Sequence, residues 1–277
     1  MEPYKDFVQR LKLLFAKRPD LITITLSNIF TMRLIGNKTH GDLAEIAIAE
    51  FINQFMYDFR SEHVGKDLYR AKSKEEDIKI VNEITQQEFF VSLKAYGVGP
   101  LQLSTDKEFK MFPRLEQEKS SEITDVDQIK AIFDDPAFSN FGELNVLPLI
   151  YDEKNKKCNI MIFDQEKAKQ SVRLIRKESA GRGRKHPVYR FYDAQGNYIC
   201  EVRYGGPDAN ALQRGLWTHT VHAAPYFDSL TGGWVDYSHN LLLVKLFSEA
   251  LVSSERGHQF AIAEIEKDIE RLRRSKP

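Results

Sequence analysis

The run Phe89-Phe90-Val91-Ser92-Leu93-Lys94 most constrains how this chain folds. Aromatic and β-branched residues in an unbroken stretch, without Gly or Pro, read as a strand in a protein interior. Period-two alternation sends Phe89, Val91, Leu93 and Ala95 to one face and Glu88, Phe90, Ser92 and Lys94 to the other. An ammonium group at the end of so apolar a strand is costly without a carboxylate or phosphate beside it. Asp77 stands at the mouth of a second β-like run containing Ile78, Ile80 and Val81. Two short antiparallel strands joined by a polar turn over 82–87 would bring Asp77 and Lys94 together.

Around this pair the periodicity predicts helices over 4–18 and 21–35, with Phe7, Leu11, Leu14 and Phe15 on one stripe. A further helix over 43–59, capped by Thr39 or Asp42, buries Leu43, Ala47, Phe51 and Phe55. Residues 61–74 read as a polar connection, and 105–141 as charged and irregular with helical pieces near 126–134. Strands are expected over 144–151 and 158–163. The clearest hairpin spans 188–204, two aromatic strands around Asp193–Asn197. A short helix over 209–217, a glycine-punctuated loop region over 218–238 and helices over 241–253 and 258–274 complete the chain. This order implies an α/β fold, a central mixed β-sheet flanked by helices. The chain is expected to form one domain over 1–277, with a core over about 39–163, a basic hairpin and loops over about 164–240, and C-terminal helices over 241–277.

The 277 residues, 42% hydrophobic and 29% charged, suffice for a full core. The longest apolar stretches are far too short to span a bilayer. The N-terminal segment lacks a signal-peptide hydrophobic block, and two cysteines make no disulfide framework. The expectation is a cytoplasmic protein with no membrane partner. Gly97-Val-Gly99 lacks the third glycine and the Lys-Ser/Thr of a phosphate loop, so no nucleotide cofactor is expected.

Forty basic residues balance forty acidic ones, but not evenly along the chain. Between Lys154 and Arg190 twelve Lys/Arg face three acids, a local net of +9 that attracts phosphate backbone. In its middle, Gly181 and Gly183 clear space around Arg182, Arg184 and Lys185, so that this loop can enter a groove. Arg203, Gln213, Arg214 and His219 follow as candidate contacts to base edges or phosphates. His219-Thr-Val-His222 has no HExxH frame or cysteine partners, so it does not read as a metal site. Glu201-Val-Arg203 imitates an acid–x–base tripeptide, but arginine does not readily exchange a proton.

Hydrolysing a phosphodiester requires a hard divalent cation held by oxygen ligands, and a cation near the nucleophile or the developing charge. Asp77, followed fifteen residues later by Ser92-Leu93-Lys94, offers those parts at the ends of adjacent strands. This layout resembles the PD-(D/E)XK nuclease superfamily, and Type II restriction endonucleases in particular. In that family an acid begins one strand, an acid–x–lysine tripeptide sits on the next, and a glutamate on a preceding helix often completes the site. Asp77 matches the first acid, Lys94 the lysine, and Glu45 in Gly41-Asp-Leu-Ala-Glu45 the helical glutamate. Ser92 stands where the second acid is usual, as in a serine variant of the motif, and Glu76 rather than proline precedes Asp77. The resemblance covers roughly residues 39–104.

The resemblance implies a restriction-endonuclease-like fold and Mg²⁺-dependent, sequence-specific cleavage of double-stranded DNA to 5′-phosphate and 3′-hydroxyl ends. It implies Asp77, Glu45 and the Leu93 carbonyl as metal ligands, with Asp77, Ser92, Lys94 and Glu45 as the catalytic set. Cutting both strands of a palindrome favours a homodimer. The alternatives are a non-catalytic DNA-binding protein, in which the strand-end charges are structural, and a repair or nonspecific nuclease of the same fold.

Overall fold

Three helices open the chain in the computed structural model: α1 (Pro3–Lys17), α2 (Pro19–Ile35) and α3 (His40–Phe55). The structure describes residues 2–35, 40–64, 77–142, 144–179, 186–204 and 214–238 and positions 209, 263, 266, 267, 271 and 274; side chains at 27, 28, 30–43, 140 and 142 are not described. The C-terminal helix expected over 241–253 lies outside the described residues, as does most of 258–274. Among the described residues no helix is long and apolar enough to cross a membrane.

α1 starts at Pro3, where a missing N–H costs nothing, and buries Tyr4, Phe7, Leu11 and Phe15 at three-four spacing. α3 ends at Phe55, earlier than its periodicity suggests, and Phe59 instead begins β1 (Phe59–His63). The first residue of that strand falls in the stretch read as helix and its last three in the stretch read as a polar connection. Its burial alternates through Phe59 and Ser61, a pattern too short and too polar to register as a strand in sequence.

β2 (Ile78–Asn82) and β3 (Glu88–Gly97) form the expected antiparallel pair, with Ile78 opposite Val91 and Ile80 opposite Phe89. Asn82 organises their turn by accepting the backbone N–H groups of Ile84 and Thr85, both at 3.0 Å. β1 pairs antiparallel with β2, while β3 runs parallel to β6 (Val146–Asp152). β7 (Lys157–Phe163) pairs antiparallel with β6 and carries β12 (Phe227–Ser229) and β13 (Val235–Asp236) on its far edge. The resulting mixed sheet has the order β1-β2-β3-β6-β7-β12. Central β6 is buried from Val146 to Ile150, as expected of a strand covered on both faces. One core joins the inward residues of α1, α2 and α3 to Ile78, Ile80, Phe89, Val91, Leu93, Leu147 and Ile160.

β4 (Pro100–Ser104) follows β3 almost without a break, yet it belongs to a second, antiparallel sheet. The two residues between them are bonded in opposite directions. Val98 donates its N–H to Tyr151 of β6, and Gly99 donates to Thr220 Oγ1 and accepts from Thr220 N–H. The second sheet has the order β4-β11-β10-β9-β8-β5, from β11 (Gly215–His219), β10 (Tyr198–Arg203), β9 (Val188–Tyr192), β8 (Leu174–Glu178) and β5 (Glu122–Ile123). β9 and β10 are the hairpin expected over 188–204. Trp217, expected at the end of a helix, lies instead in β11 opposite Glu201 and Gln102. The cross-strand partners decide that assignment, because the local run is too short for periodicity to do so.

α4 (Met111–Glu116), α5 (Val126–Asp134), the short α6 (Ser139–Gly142) and α7 (Gln165–Ser171) contribute to a second core with this sheet. Asp125 and Asp164 cap α5 and α7 by accepting the N–H groups of Gln128 and Lys167. Asp135 caps the 3₁₀ turn Pro136–Phe138 and accepts from Arg114 Nε at 2.6 Å.

Gly215 opens β11 at φ +80°, where an added Cβ would meet Ser104 O at 2.2 Å. Gly215→Ala is therefore expected to cost about 3 kcal/mol or more, read as a lower urea midpoint in equilibrium unfolding. The Ala137 N–H, and then Arg114, hold the Asp135 carboxyl below the usual carboxylate range. A depressed folded-state value gives stability above the ordinary aspartate range that disappears as pH falls through the lower one. Urea midpoints across acid pH should fall less steeply for Asp135→Ala than for the wild type.

Candidate active site

Asp77 sits where β2 runs out, and its backbone is held from both sides. Its N–H donates to Val91 O at 3.2 Å, and its carbonyl accepts from Val64 N–H at 2.9 Å. The register Ile78↔Val91 brings it level with Ser92. Its Oδ2 accepts from Ser92 Oγ at 3.1 Å and from Leu93 N–H at 2.8 Å. The side chain thus takes up a ladder position that the backbone of β2 has vacated. Ser92, the residue in place of a second acid, is buried and donates to Asp77.

The parallel ladder accounts for the next feature. Ser92 N–H bonds to Asn145 O, so Ser92 and Lys94 direct their peptide groups toward β6. Leu93 must direct its own to the opposite edge, where Asp77 takes the N–H. The Leu93 carbonyl therefore faces the same edge as the Asp77 carboxylate. Lys94, one residue on, is half-buried and shares the Ser92 face of the strand.

Glu45 comes from α3 and is 6% exposed. Its Oε2 lies 2.9 Å from His63 Nε2. Burial pushes its carboxyl above the usual range; the His63 hydrogen bond pulls it down, the charge of Asp77 raises it, and the charge of Lys94 lowers it. Glu45, His63, Asp77 and Lys94 thus share one electrostatic neighbourhood. His63 is missing from the sequence-derived set because it lies in the stretch read as a polar connection. Its signal is geometric and exists only once β1 is paired.

Among the described residues no group of three His, Cys, Asp or Glu side chains is arranged to hold a metal ion. Two carboxylates, Asp77 and Glu45, lie within electrostatic reach of each other, and the Leu93 carbonyl faces the Asp77 edge of β3; oxygen donors of this kind would suit a hard cation such as Mg²⁺ that keeps several waters. Glu88 is directed elsewhere, in an ion pair with Lys79 at 2.6 Å.

The described residues include three of the seven expected DNA contacts. Arg182, Arg184, Lys185 and Gln213 lie outside the described residues. Arg203, expected to face DNA, is 8% exposed, donates to Glu201 at 2.6 Å and stacks 3.8 Å above Trp217. Glu201 also accepts from Arg190 Nε at 3.1 Å, so the tripeptide Glu201-Val-Arg203 belongs to a buried ion-pair network. Arg214 donates to Thr105 O at 3.1 Å and covers the Phe109 ring. His219 stacks on His222 at 3.9 Å, and its Nδ1 accepts from Val221 and His222 N–H.

Searches against protein-family models, curated proteins and solved structures found no match. The resemblance to the PD-(D/E)XK nucleases therefore rests on the residues and their placement alone.

Glu201→Ala removes the carboxylate that pairs Arg203, while Arg190 keeps Glu178. It is expected to destabilise the fold by about 3 kcal/mol, the usual cost of an orphaned buried charge, measured by urea denaturation.

Proposed function

We propose that this chain is a Mg²⁺-dependent, sequence-specific endonuclease for double-stranded DNA, of the restriction type. The observation that carries the reading is the clasp of the Asp77 carboxylate by Ser92 and Leu93, one residue short of Lys94. The order of parts supports it too: a helix bearing Glu45, a strand headed by Asp77, and a strand carrying Ser92-Leu93-Lys94. A restriction-endonuclease-like fold belongs to the same proposal, as does a cytoplasmic location beside the DNA.

Asp77, Glu45 and the Leu93 carbonyl would hold Mg²⁺, which when bound polarises the phosphoryl group and acidifies a water. Lys94 Nζ orients the attacking water or takes its proton. The water oxygen would bond to phosphorus as the P–O3′ bond breaks, its proton passing to Lys94 or solvent while the departing O3′ takes one up from solvent, leaving a 5′-phosphate and a 3′-hydroxyl. Ser92 holds Asp77 in place and does not itself meet the reacting atoms. The basic segment over 167–190 and the polar stretch over 203–222 would clamp the duplex and read its base edges. A homodimer would present one such site to each strand of a palindrome.

The engagement of Glu45 by His63 and the absence of a three-side-chain metal cluster among the described residues favour a second reading, a non-catalytic DNA-binding protein. Incubation with long mixed-sequence DNA and Mg²⁺ separates the two. Discrete fragments are expected; a smear identifies a nonspecific nuclease, and intact DNA removes the enzymatic reading. Asp77→Ala and Lys94→Ala should each reduce cleavage about a thousandfold or more while leaving far-UV circular dichroism and salt-dependent DNA binding in place. Full cutting by either variant would overturn the assignment.

A further inference from the structure

The end of β1 and the residue that follows it hold both acids of the candidate site. Val64 donates its N–H to the Asp77 carbonyl at 2.9 Å, and the preceding residue, His63, places Nε2 2.9 Å from Glu45 Oε2. The helix above is bolted to this strand along a single face. Asn53 donates to Ser61 O at 3.1 Å and accepts from Ser61 N–H at 2.7 Å, and Ser61 Oγ donates to Ala49 O at 2.6 Å. Glu45, Ala49 and Asn53 recur every four residues, so they lie one above another on α3. Ser61 and His63, two residues apart, point to one side of β1. Fastening 49 and 53 to Ser61 therefore sets Glu45 over His63.

A carboxylate buried to this degree needs a hydrogen-bond donor. With Glu45 ionised its oxygens only accept, so Nε2 carries the hydrogen, and the bond occupies Oε2 while leaving Oε1 available. We infer that His63 is a positioning residue: its Nε2–H fixes the Glu45 carboxylate in the orientation that lets Oε1 serve as a ligand for a hard divalent cation. This rests on the nuclease reading, in which Glu45 and Asp77 share a cation. His63 touches neither cation nor substrate in this scheme, and acts through Glu45 alone.

The test measures Mn²⁺ binding to the full chain without DNA, by electron paramagnetic resonance, alongside the Mg²⁺ dependence of cleavage. His63→Leu should weaken Mn²⁺ binding about tenfold to a hundredfold, the usual effect of losing a residue that orients a metal ligand. His63→Gln, whose amide donor reaches to a similar place, should recover most of that loss. In a Glu45→Gln background His63→Leu should add no further loss, and this arm, with the glutamine variant, decides the matter if the leucine variant alone fails to fold. A wild type that binds Mn²⁺ and cuts DNA, beside a His63→Leu protein of equal affinity, overturns this inference and leaves the nuclease reading standing. A further loss in the Glu45→Gln background also overturns it. A wild type that binds no Mn²⁺ overturns both.

Discussion

A carboxylate standing in for a strand is the constraint on which this site depends. β2 begins only at Ile78, and ahead of it the exposed edge of β3 would leave the Leu93 N–H without its ladder partner. Asp77 fills that place with its side chain, held by Leu93 and Ser92 together. An unpaired amide in a protein interior costs a substantial fraction of a hydrogen bond. The same bond that completes the sheet therefore fixes an acid next to Lys94. Structural need and chemical opportunity coincide in one contact.

Helices α1 to α3 add the second layer of that constraint. Their apolar faces close one side of the mixed sheet, and Phe7 meets Phe59 and Phe89 with ring centroids 5.4 and 5.7 Å apart. Burying that face brings α3 close enough for Glu45 to enter the interior beside β1. The second sheet is organised differently. Its polar interior network, in which Glu201 bridges Arg190 and Arg203, behaves as structural charge pairing, and the guanidinium of Arg203 is covered by Trp217.

Where a segment carried strong two-residue alternation, the sequence revealed it. The strands β2 and β3, the hairpin of β9 and β10, and the pair β6 and β7 all combine aromatic or β-branched residues with polar turns. The first helices were equally readable from their three-four spacing. β1 was not, because Phe59 is its one apolar residue and Ser61 is buried by bonds to α3. The same polarity hides His63. β11 is not legible locally, because Trp217 owes its place to neighbours distant in sequence. Arg203 looked exposed because arginine usually is, whereas its burial comes from the cross-strand pairing of Glu201 with Trp217. Local pattern thus located Asp77 and Lys94 on adjoining strands, and only tertiary pairing located what surrounds them.

The passage from β3 to β4 carries a mechanical consequence. Val98 is tied to the first sheet and Gly99 to the second, with no slack residue between the two attachments. Such a junction transmits torque instead of absorbing it. A load that tilts the six-stranded layer is therefore passed in part along this ribbon toward the stretch bearing Lys94.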